Sequence, residues 1–280
     1  MAQGGDGKLE STRRKTPGGG STSIRCVSSY ERIAREQGFT RIAGVDEVGR
    51  GSLFGPVFAA AVLLDPLRPI RGLRDSKILD AKTRAELVEH IKSRCICWAV
   101  GGADVFEIDQ INILQASRLA MRRAVEALSL APDYLLIDAV TVDLPLMQLP
   151  LIDGDARCRA IAAASIIAKV HRDNCLNEWD RVFPQYNLAA NKGYSTPDHK
   201  RALRKHGPTL LHRFSFEPVR ATSINVHWTG YITDPPSQGE LFDAAGVPSQ
   251  LEVPRDLTSV ESTSVQMDDE LPPHAARAGE

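Results

Sequence analysis

The stretch GVDEVGRGSLFGPV (residues 44–57) places charged groups at a strand end where folding alone does not require them. Asp46 and Glu47 are adjacent carboxylates that close the apolar run RIAGV, and Arg50 follows between two glycines. A buried carboxylate is costly unless it is paired or binds a cation. Glycines allow a ligand to approach the backbone, and arginine binds phosphate with a charged fork. The stretch therefore indicates a site that holds a cation beside a phosphate.

Two further carboxylates follow apolar segments. Asp138 ends the run DYLLI, and Asp155 lies in LIDGDARC, just before an alanine-rich helix. Oxygen ligands without His or Cys favour Mg²⁺ or Mn²⁺, and two such ions are a common device for phosphodiester hydrolysis. The alternative for any single acid is that it marks the exposed end of a strand. Because neighbouring strand residues face opposite sides, Asp46 and Glu47 would need a twist or bulge to face one ion, or the Glu47 carbonyl as a ligand.

Strand-like and helix-like segments alternate from Arg41 to Ala221, which predicts one α/β domain. We expect a disordered basic arm at 1–27, a catalytic domain at 28–221 that begins with a short helix at 28–38, and an acidic, disordered tail at 222–280. The tail carries ten acidic and two basic residues, whereas the middle of the chain is mildly basic and weakly favours a polyanion partner.

Cysteine usage and hydropathy bear on the compartment. The five cysteines form no C-x-x-C pair, and the N-terminus has no apolar run typical of a signal peptide. No apolar stretch is long enough to span a membrane. These features predict a reduced, cytoplasmic protein.

Seven blocks in order resemble the type 2 ribonucleases H, specifically bacterial ribonuclease HII. They are GVDEVGRGSLFGPV, LRDSKIL, NILQASRLAM, LLIDA, GDARCRAIAAASIIAKVHRD, FPQYNLAANKGYSTPDH and HRFSFEPV. The resemblance implies a ribonuclease H-like α/β fold, with a mixed central sheet flanked by helices and a C-terminal helical segment. It also implies metal-dependent hydrolysis of the RNA strand of RNA–DNA hybrids. Single ribonucleotides in duplex DNA would be incised on their 5′ side by two metal ions, leaving 3′-hydroxyl and 5′-phosphate ends.

The same resemblance implies roles for individual residues. The catalytic acids would be Asp46, Glu47, Asp138 and Asp155, of which the first three would bind Mg²⁺ or Mn²⁺. Gly49, Arg50 and Gly51 would read the 2′-hydroxyl, the group that distinguishes RNA from DNA. Other substrate contacts would come from Ser76, Lys77, Lys192 and Tyr194, the last stacking on the next sugar.

The chain departs from the family pattern in three places. Asp153 stands where lysine is common, which adds a negative charge beside Asp155. Ser52 replaces a usual proline, and Ile78 a usual lysine. The change at Asp153 puts the role of Asp155 in question.

The tail segment QGELF (238–242) resembles the peptides that dock replication proteins on the sliding clamp. Gln238, Leu241 and Phe242 would be its anchors, with the clamp as a partner. The other interpretation is a mildly apolar segment without a partner.

Two other functions stay open at this point. One is a DNA-directed nuclease of the same fold, although such enzymes do not combine DEVGRG with KGY. The other is a catalytically weakened hybrid-binding protein, which only Asp153 favours.

Overall fold

A computed structural model describes residues 26–223 of the chain. A five-stranded mixed sheet with strand order β3-β2-β1-β4-β5 forms its centre. β1 runs antiparallel to β2 and parallel to β4, so it joins the two halves of the sheet. The strands are β1 (Ile42–Val48), β2 (Val57–Leu63), β3 (Cys97–Ala103), β4 (Tyr134–Asp138) and β5 (Met147–Leu151).

Helices cover both faces of the sheet, as predicted. α3 packs on one face, where Val45, Ala59 and Ile137 belong to the same core cluster as Ala120. α5 and α2 pack on the other face. The α-helices are α1 (Ser29–Glu36), α2 (Ala81–Arg94), α3 (Val105–Glu126), α4 (Gly154–Arg157), α5 (Arg159–Val182), α6 (Leu188–Asn191), α7 (Pro197–His206) and α8 (Glu217–Ser223). In the part of the chain that the structure describes, no helix is long and apolar enough to cross a membrane.

Close packing of β1 on α5 depends on small residues. A Cβ on Gly44 would lie 2.1 Å from the backbone carbonyl carbon of Ala160, so any side chain there would force the helix away. The alanine run from Ala162 to Ala164 lets the helix lie close to the sheet, and all three residues are fully buried. These small residues therefore determine how α5 lies against β1, the strand that carries Asp46.

The C-terminal helical segment is also present. Leu53 and Phe54 follow Gly49–Gly51, which we call the glycine loop. They pack with Leu176 of α5, Leu203 of α7 and Val219 of α8 in a separate core cluster. The turn after β1 is thus anchored on the last helices of the described chain.

Some details differ from the sequence-based prediction. The pattern does not predict β5, because Pro150 argues against a central strand but is tolerated in this edge strand. α3 carries a kink at Asn112, whose φ is 67°. Most of the predicted N-terminal arm and acidic tail lies outside the described residues.

Candidate active site

Asp46 and Asp138 lie side by side on adjacent parallel strands, near the C-terminal end of β1 and at the last residue of β4. The last paired residues of β1 and β4 are Val45 and Ile137, so the two aspartates are the next residue on each strand. Since Val45 and Ile137 lie in the core cluster beneath α3, alternation directs Asp46 and Asp138 towards the α5 face. The sheet register therefore brings these two carboxylates together.

Glu47 lies in the same cleft as Asp46, although it is the next residue. The pairing of β1 with β2 continues regularly through Val48, so no bulge interrupts it. The backbone N–H of Glu47 donates to Asp46 Oδ1 at 2.7 Å. Gly49, with φ of 95°, then turns the chain where the sheet ends. Side chains from both faces of the sheet reach the same cleft there, so Asp46 and Glu47 both line it.

A cleft of about 540 Å³ collects these side chains. None of the described residues that line it is His or Cys, so the side-chain atoms that could bind a metal ion there are oxygens. The lining residues are Asp46, Glu47, Val48, Gly49, Arg50, Gly51, Ser76, Lys77, Arg84, Asp138, Ser165, Lys169 and Tyr194. The acidic end of the cleft has the chemistry of a site for a hard divalent cation.

Burial and mutual repulsion raise the pKa of all three cleft acids. Burial, with the charges of Glu47 and Asp138 beside it, holds the pKa of Asp46 well above its usual range. Burial raises the pKa of Glu47, and the Asp138 charge adds to this, while Arg50 opposes it. Burial also raises the pKa of Asp138. A bound cation would offset these costs, so the residues present fit a divalent metal ion.

Protein donors engage several of the acids. Gly154 N–H donates to Asp138 Oδ1 at 2.7 Å, Lys77 Nζ lies 3.0 Å from Asp155 Oδ2, and Arg50 lies 3.3 Å from Glu47. Among residues 26–223, no three His, Cys, Asp or Glu side chains are arranged to hold a metal ion as placed. The three cleft carboxylates are thus near one another but oriented by protein partners.

Asp155 is 4% exposed and does not line the cleft. Its charge nevertheless raises the pKa of Asp46 and of Asp138. Asp153 is exposed, with a left-handed backbone (φ 53°), and it too raises the pKa of Asp138. Asp153, which stands where the resemblance implies a lysine, therefore adds negative charge near the acids of the cleft.

Two buried arginines hold the glycine loop. Arg213 is fully buried and donates to the carbonyls of Arg50 at 2.8 Å and Gly55 at 2.9 Å. Arg172 donates to Ser52 Oγ at 2.7 Å and to the Lys192 carbonyl at 3.0 Å. Among the described residues, neither arginine has a carboxylate within ion-pair distance.

These arginines keep their charge despite burial. Burial, with Arg172 nearby, lowers the pKa of Arg213 to about 9, which leaves it protonated at neutral pH. Arg172 Nε and one terminal nitrogen of Arg213 are buried without an acceptor in the described structure. Two cations with spare donors therefore lie beneath Gly49–Gly51, the part of the cleft that the glycine loop lines.

Tyr194 lies beside the glycine loop. It bridges to Ser52, and its ring carbon Cε1 would lie 3.8 Å from a Cβ placed on Gly51. The Arg172 guanidinium lies 5.5 Å from the centre of the ring. Lys192 does not line the cleft, and its Nζ donates to Asn177 at 2.8 Å. The structure thus brings Tyr194 to the predicted site but leaves the Lys192 side chain outside it.

Several residues of the site have no local sequence signal. Arg84 and Lys169 line the cleft and share Asp173, which lies 4.0 Å from Arg84 and 2.7 Å from Lys169. Ser165 also lines it, and its Oγ lies 2.9 Å from Ser76 Oγ. The spacing of Lys169 and Asp173 predicts only an ion pair along a helix. Nothing in the sequence near Arg84 links it to the acids.

Comparisons with known proteins identify the family and support the fold. The family model for ribonuclease HII matches residues 43–219. Ribonuclease HII of Solibacter usitatus is 55% identical over 233 residues, which cover 83% of this chain and 99% of the relative. Ribonuclease HII of Koribacter versatilis is 57% identical over 229 residues, which cover 82% and 88%.

Solved structures support the fold. Ribonuclease H2 of Pyrococcus horikoshii matches with a TM-score of 0.57 at 24% identity, covering 66% of this chain and 98% of that protein. Bst-RNase HIII in complex with Mn²⁺ matches with a TM-score of 0.52 at 19% identity, covering 66% and 69%. The expected ribonuclease H-like fold is confirmed. By its family model and its curated relatives, the chain belongs to the ribonuclease HII family and is a ribonuclease H.

Proposed function

We propose that the protein is an endonuclease that hydrolyses the RNA strand of RNA–DNA hybrids and incises duplex DNA 5′ to a single ribonucleotide. The observation that carries the proposal is the shared cleft, which Asp46 and Asp138 line together with Gly49–Gly51 and Tyr194. One end of this cleft suits a cation and the other suits a phosphate and a sugar. A phosphodiester strand that spans both ends would have its scissile group beside the acids.

The acids would hold divalent ions. Asp46, Glu47 and Asp138 would bind two Mg²⁺ or Mn²⁺ ions, which would activate water and stabilise the leaving oxygen. Gly154 N–H already orients the Asp138 carboxylate, and the buried position of Asp46 limits its rotation. Lys77 fixes Asp155 at the edge of this group. These contacts hold the acids at the cleft, and metal binding would turn the carboxylates from their present protein partners towards the ions.

The glycine loop would select the ribose. Gly51 is exposed and has open space around its Cα, with the Tyr194 ring as its nearest neighbour. A sugar can therefore approach the backbone closely enough for its 2′-hydroxyl to meet backbone groups. Arg50 would contact the phosphate, and the buried charges of Arg172 and Arg213 would attract it to this end. Lys169 and Arg84, which share one carboxylate, leave a net positive charge for the backbone of the duplex.

A cleavage assay tests the proposal. Three labelled duplexes would be incubated with Mg²⁺ or with Mn²⁺: a DNA duplex with one ribonucleotide, an RNA–DNA hybrid, and all-DNA. We expect incision of the first two, on the 5′ side of a ribonucleotide, with products that a ligase can rejoin because they carry 3′-hydroxyl and 5′-phosphate ends. Incision of all-DNA would favour a DNA-directed nuclease. Binding of the hybrid without incision would favour a hybrid-binding protein.

The clamp peptide stays a prediction, because Gln238, Leu241 and Phe242 lie outside the described residues. A related structure is that of the PCNA complex of ribonuclease HII from Archaeoglobus fulgidus, which at 23% identity matches this chain in fold. A labelled peptide spanning 234–246 should bind a bacterial sliding clamp in a fluorescence anisotropy titration. A peptide with Leu241 and Phe242 replaced by alanine is the control, and equal anisotropy curves for the two would reject the hypothesis.

A further inference from the structure

Two buried histidines connect the C-terminal segment to Tyr194. His199 of α7 and His212 are both fully buried, and their Nε2 atoms lie 3.2 Å apart. His199 Nδ1 lies 3.0 Å from the Tyr194 carbonyl oxygen. The backbone N–H of Thr209 donates to His212 Nδ1 at 2.9 Å. The two rings thus join Thr209 to Tyr194 through consecutive hydrogen bonds.

The partners fix which nitrogen carries each proton. Because His212 Nδ1 accepts from a backbone N–H, the proton of a neutral His212 must lie on Nε2. That N–H donates to His199 Nε2, so His199 carries its proton on Nδ1. This proton in turn points to the Tyr194 carbonyl, which can only accept. Only one arrangement of protons therefore satisfies all three bonds when both rings are neutral.

The surroundings keep both rings neutral. The aromatic rings of Tyr186 and Phe54 lie 4.8 and 4.9 Å from the His212 ring. Burial lowers the pKa of His212 to about 3, with a further contribution from His199, and burial also lowers the pKa of His199. A proton added to His212 Nδ1 would face the Thr209 N–H. The hydrogen bonds from Thr209 to Tyr194 therefore keep a single arrangement of protons at neutral pH.

We propose that His199 and His212 are positioning residues that form a neutral, directional relay holding Tyr194 against the bound nucleotide. The inference rests on the proposed function, since it assumes that Tyr194 contacts the substrate. The Tyr194 backbone is bonded to His199 on one side and bridged to Ser52 on the other. Tyr194 is 37% exposed and lines the cleft. These contacts hold its backbone together with two others, from its N–H to the Asn191 carbonyl and from the Thr196 N–H to its own carbonyl.

A pair of His199 variants separates positioning from simple packing. In His199→Asn the amide nitrogen takes the place of Nδ1 and can still donate to the Tyr194 carbonyl, but the side chain is too short to reach His212. In His199→Gln the amide takes the place of Nε2, which keeps the contact with His212 and loses the bond to Tyr194. Packing alone would favour the larger Gln, whereas the relay favours Asn.

The value of kcat/KM should depend on whether a variant keeps the hydrogen bond from residue 199 to the Tyr194 carbonyl. On a duplex with one ribonucleotide, we expect His199→Asn to keep kcat/KM within about threefold of the wild type, and His199→Gln to lose at least about tenfold. In a Tyr194→Ala background the Asn and Gln variants should be equally active, because the residue that they position has lost its ring. Equal losses with Tyr194 present, or a difference that persists with Tyr194→Ala, would overturn the relay.

If the His199 variants do not fold, His212 offers the reciprocal pair. His212→Gln keeps the donor to His199 and should be more active than His212→Asn, which keeps only the acceptor for Thr209. The opposite order would contradict the inference.

The wild-type protein gives a direct readout as well. A ¹⁵N–¹H spectrum of the imidazoles should show the Nε2–H form for His212 and the Nδ1–H form for His199, with neither titrating between about pH 5 and 8. The same tautomer in both rings, or titration in that range, would reject the relay even in a fully active enzyme. A wild-type protein that shows both tautomers but cleaves no ribonucleotide substrate would instead reject the proposed function.

Discussion

The two ends of the cleft are built in different ways. The acidic end consists of adjacent residues on paired strands, Asp46 and Asp138, whose positions follow from the register of one sheet. The end that the proposal assigns to the sugar is the glycine loop, which is exposed at Arg50 and Gly51. It is held from below by Arg172 and Arg213, which come from distant parts of the chain. In the proposed mechanism the acids would act directly on the ligand, whereas the buried cations would act through the backbone that they hold. Substitutions at the two ends should therefore fail in different ways.

The acidic end should show the largest effect. Asp138→Asn removes a negative charge from the proposed metal site while keeping the shape and a group able to accept from Gly154 N–H. We expect kcat on a single-ribonucleotide duplex to fall at least about 10³-fold, because metal-ion stabilisation is worth several kcal/mol. Binding of the duplex, measured by anisotropy, should change little.

The exposed Asp143→Asn is the matched control and should leave kcat unchanged. If Asp138→Asn kept most of its activity, the acidic end would not be the catalytic end, and the contrast between the two ends would fail.

Much of the acidic end could be predicted from the sequence. Asp46 and Asp138 each end a short apolar run, and such runs form the paired strands β1 and β4. The convergence of the two acids follows from the parallel register, which local pattern alone does not give. The sequence also could not show that Glu47 opens into the same cleft without a bulge, since that depends on where the sheet ends.

Much less of the sugar-facing end could be predicted. The resemblance named the glycines and Tyr194, but nothing near Arg172 or Arg213 distinguishes a buried cation from a surface one. His199 and His212 lie in a basic segment whose pattern does not indicate that both rings are fully buried. Lys192, expected to contact the duplex, instead turns towards Asn177. Contacts between distant parts of the chain determine where all of these side chains lie. Such contacts produce no periodic pattern in the sequence.

The glycine loop should show the next largest effect. A methyl group added to Gly51 would have its nearest neighbour 3.8 Å away, and the residue has no positive φ, so Gly51→Ala should change the free energy of unfolding by less than about 0.5 kcal/mol. The same methyl group would lie where the sugar approaches, and we expect kcat/KM to fall about 10- to 100-fold. Denaturant unfolding and cleavage kinetics on the same preparation measure both quantities.

Gly49→Ala is the informative counterpart. Its φ is 95°, and its Cβ would lie 2.3 Å from Arg172 Nε, so this variant should lose stability, by about 1 kcal/mol or more. Full activity in Gly51→Ala would mean that the substrate does not approach the loop at this point.

The buried arginines should show a smaller loss. Arg213→Met keeps most of the volume but leaves the carbonyls of Arg50 and Gly55 without a donor, at a cost of about 1–3 kcal/mol in stability. With the loop less firmly held, we expect kcat/KM to fall about tenfold. Arg213→Lys should not restore it, because an ammonium group lacks the planar fork that reaches both carbonyls.

Arg181→Met, at an exposed ion pair on α5, is the control and should change neither quantity measurably. An active and stable Arg213→Met variant would show that the loop holds its shape without the buried cation.

The last expected effect is on stability at mildly acidic pH and not on catalysis. The pKa of His212 is lowered to about 3 in the folded protein, whereas an unfolded histidine titrates near its usual value of about 6.5. The unfolded state therefore binds more protons between these values. The stabilisation from the neutral ring is complete above about pH 6.5 and declines as the pH falls, by about 1.4 kcal/mol per pH unit. The raised pKa values of the cleft acids have the opposite sign, so the wild type alone cannot isolate the histidine.

A comparison with His212→Asn removes that ambiguity, because the acids are common to both proteins. Between about pH 6.5 and 5, the free energy of unfolding of the wild type should fall by about 2 kcal/mol more than that of the variant, as measured by urea denaturation. Equal losses would mean that His212 is protonated in the folded state or exposed to water. In that event His212 would not be shielded from water. The two ends of the cleft would then differ in their charge and not in how deeply their supporting residues are buried.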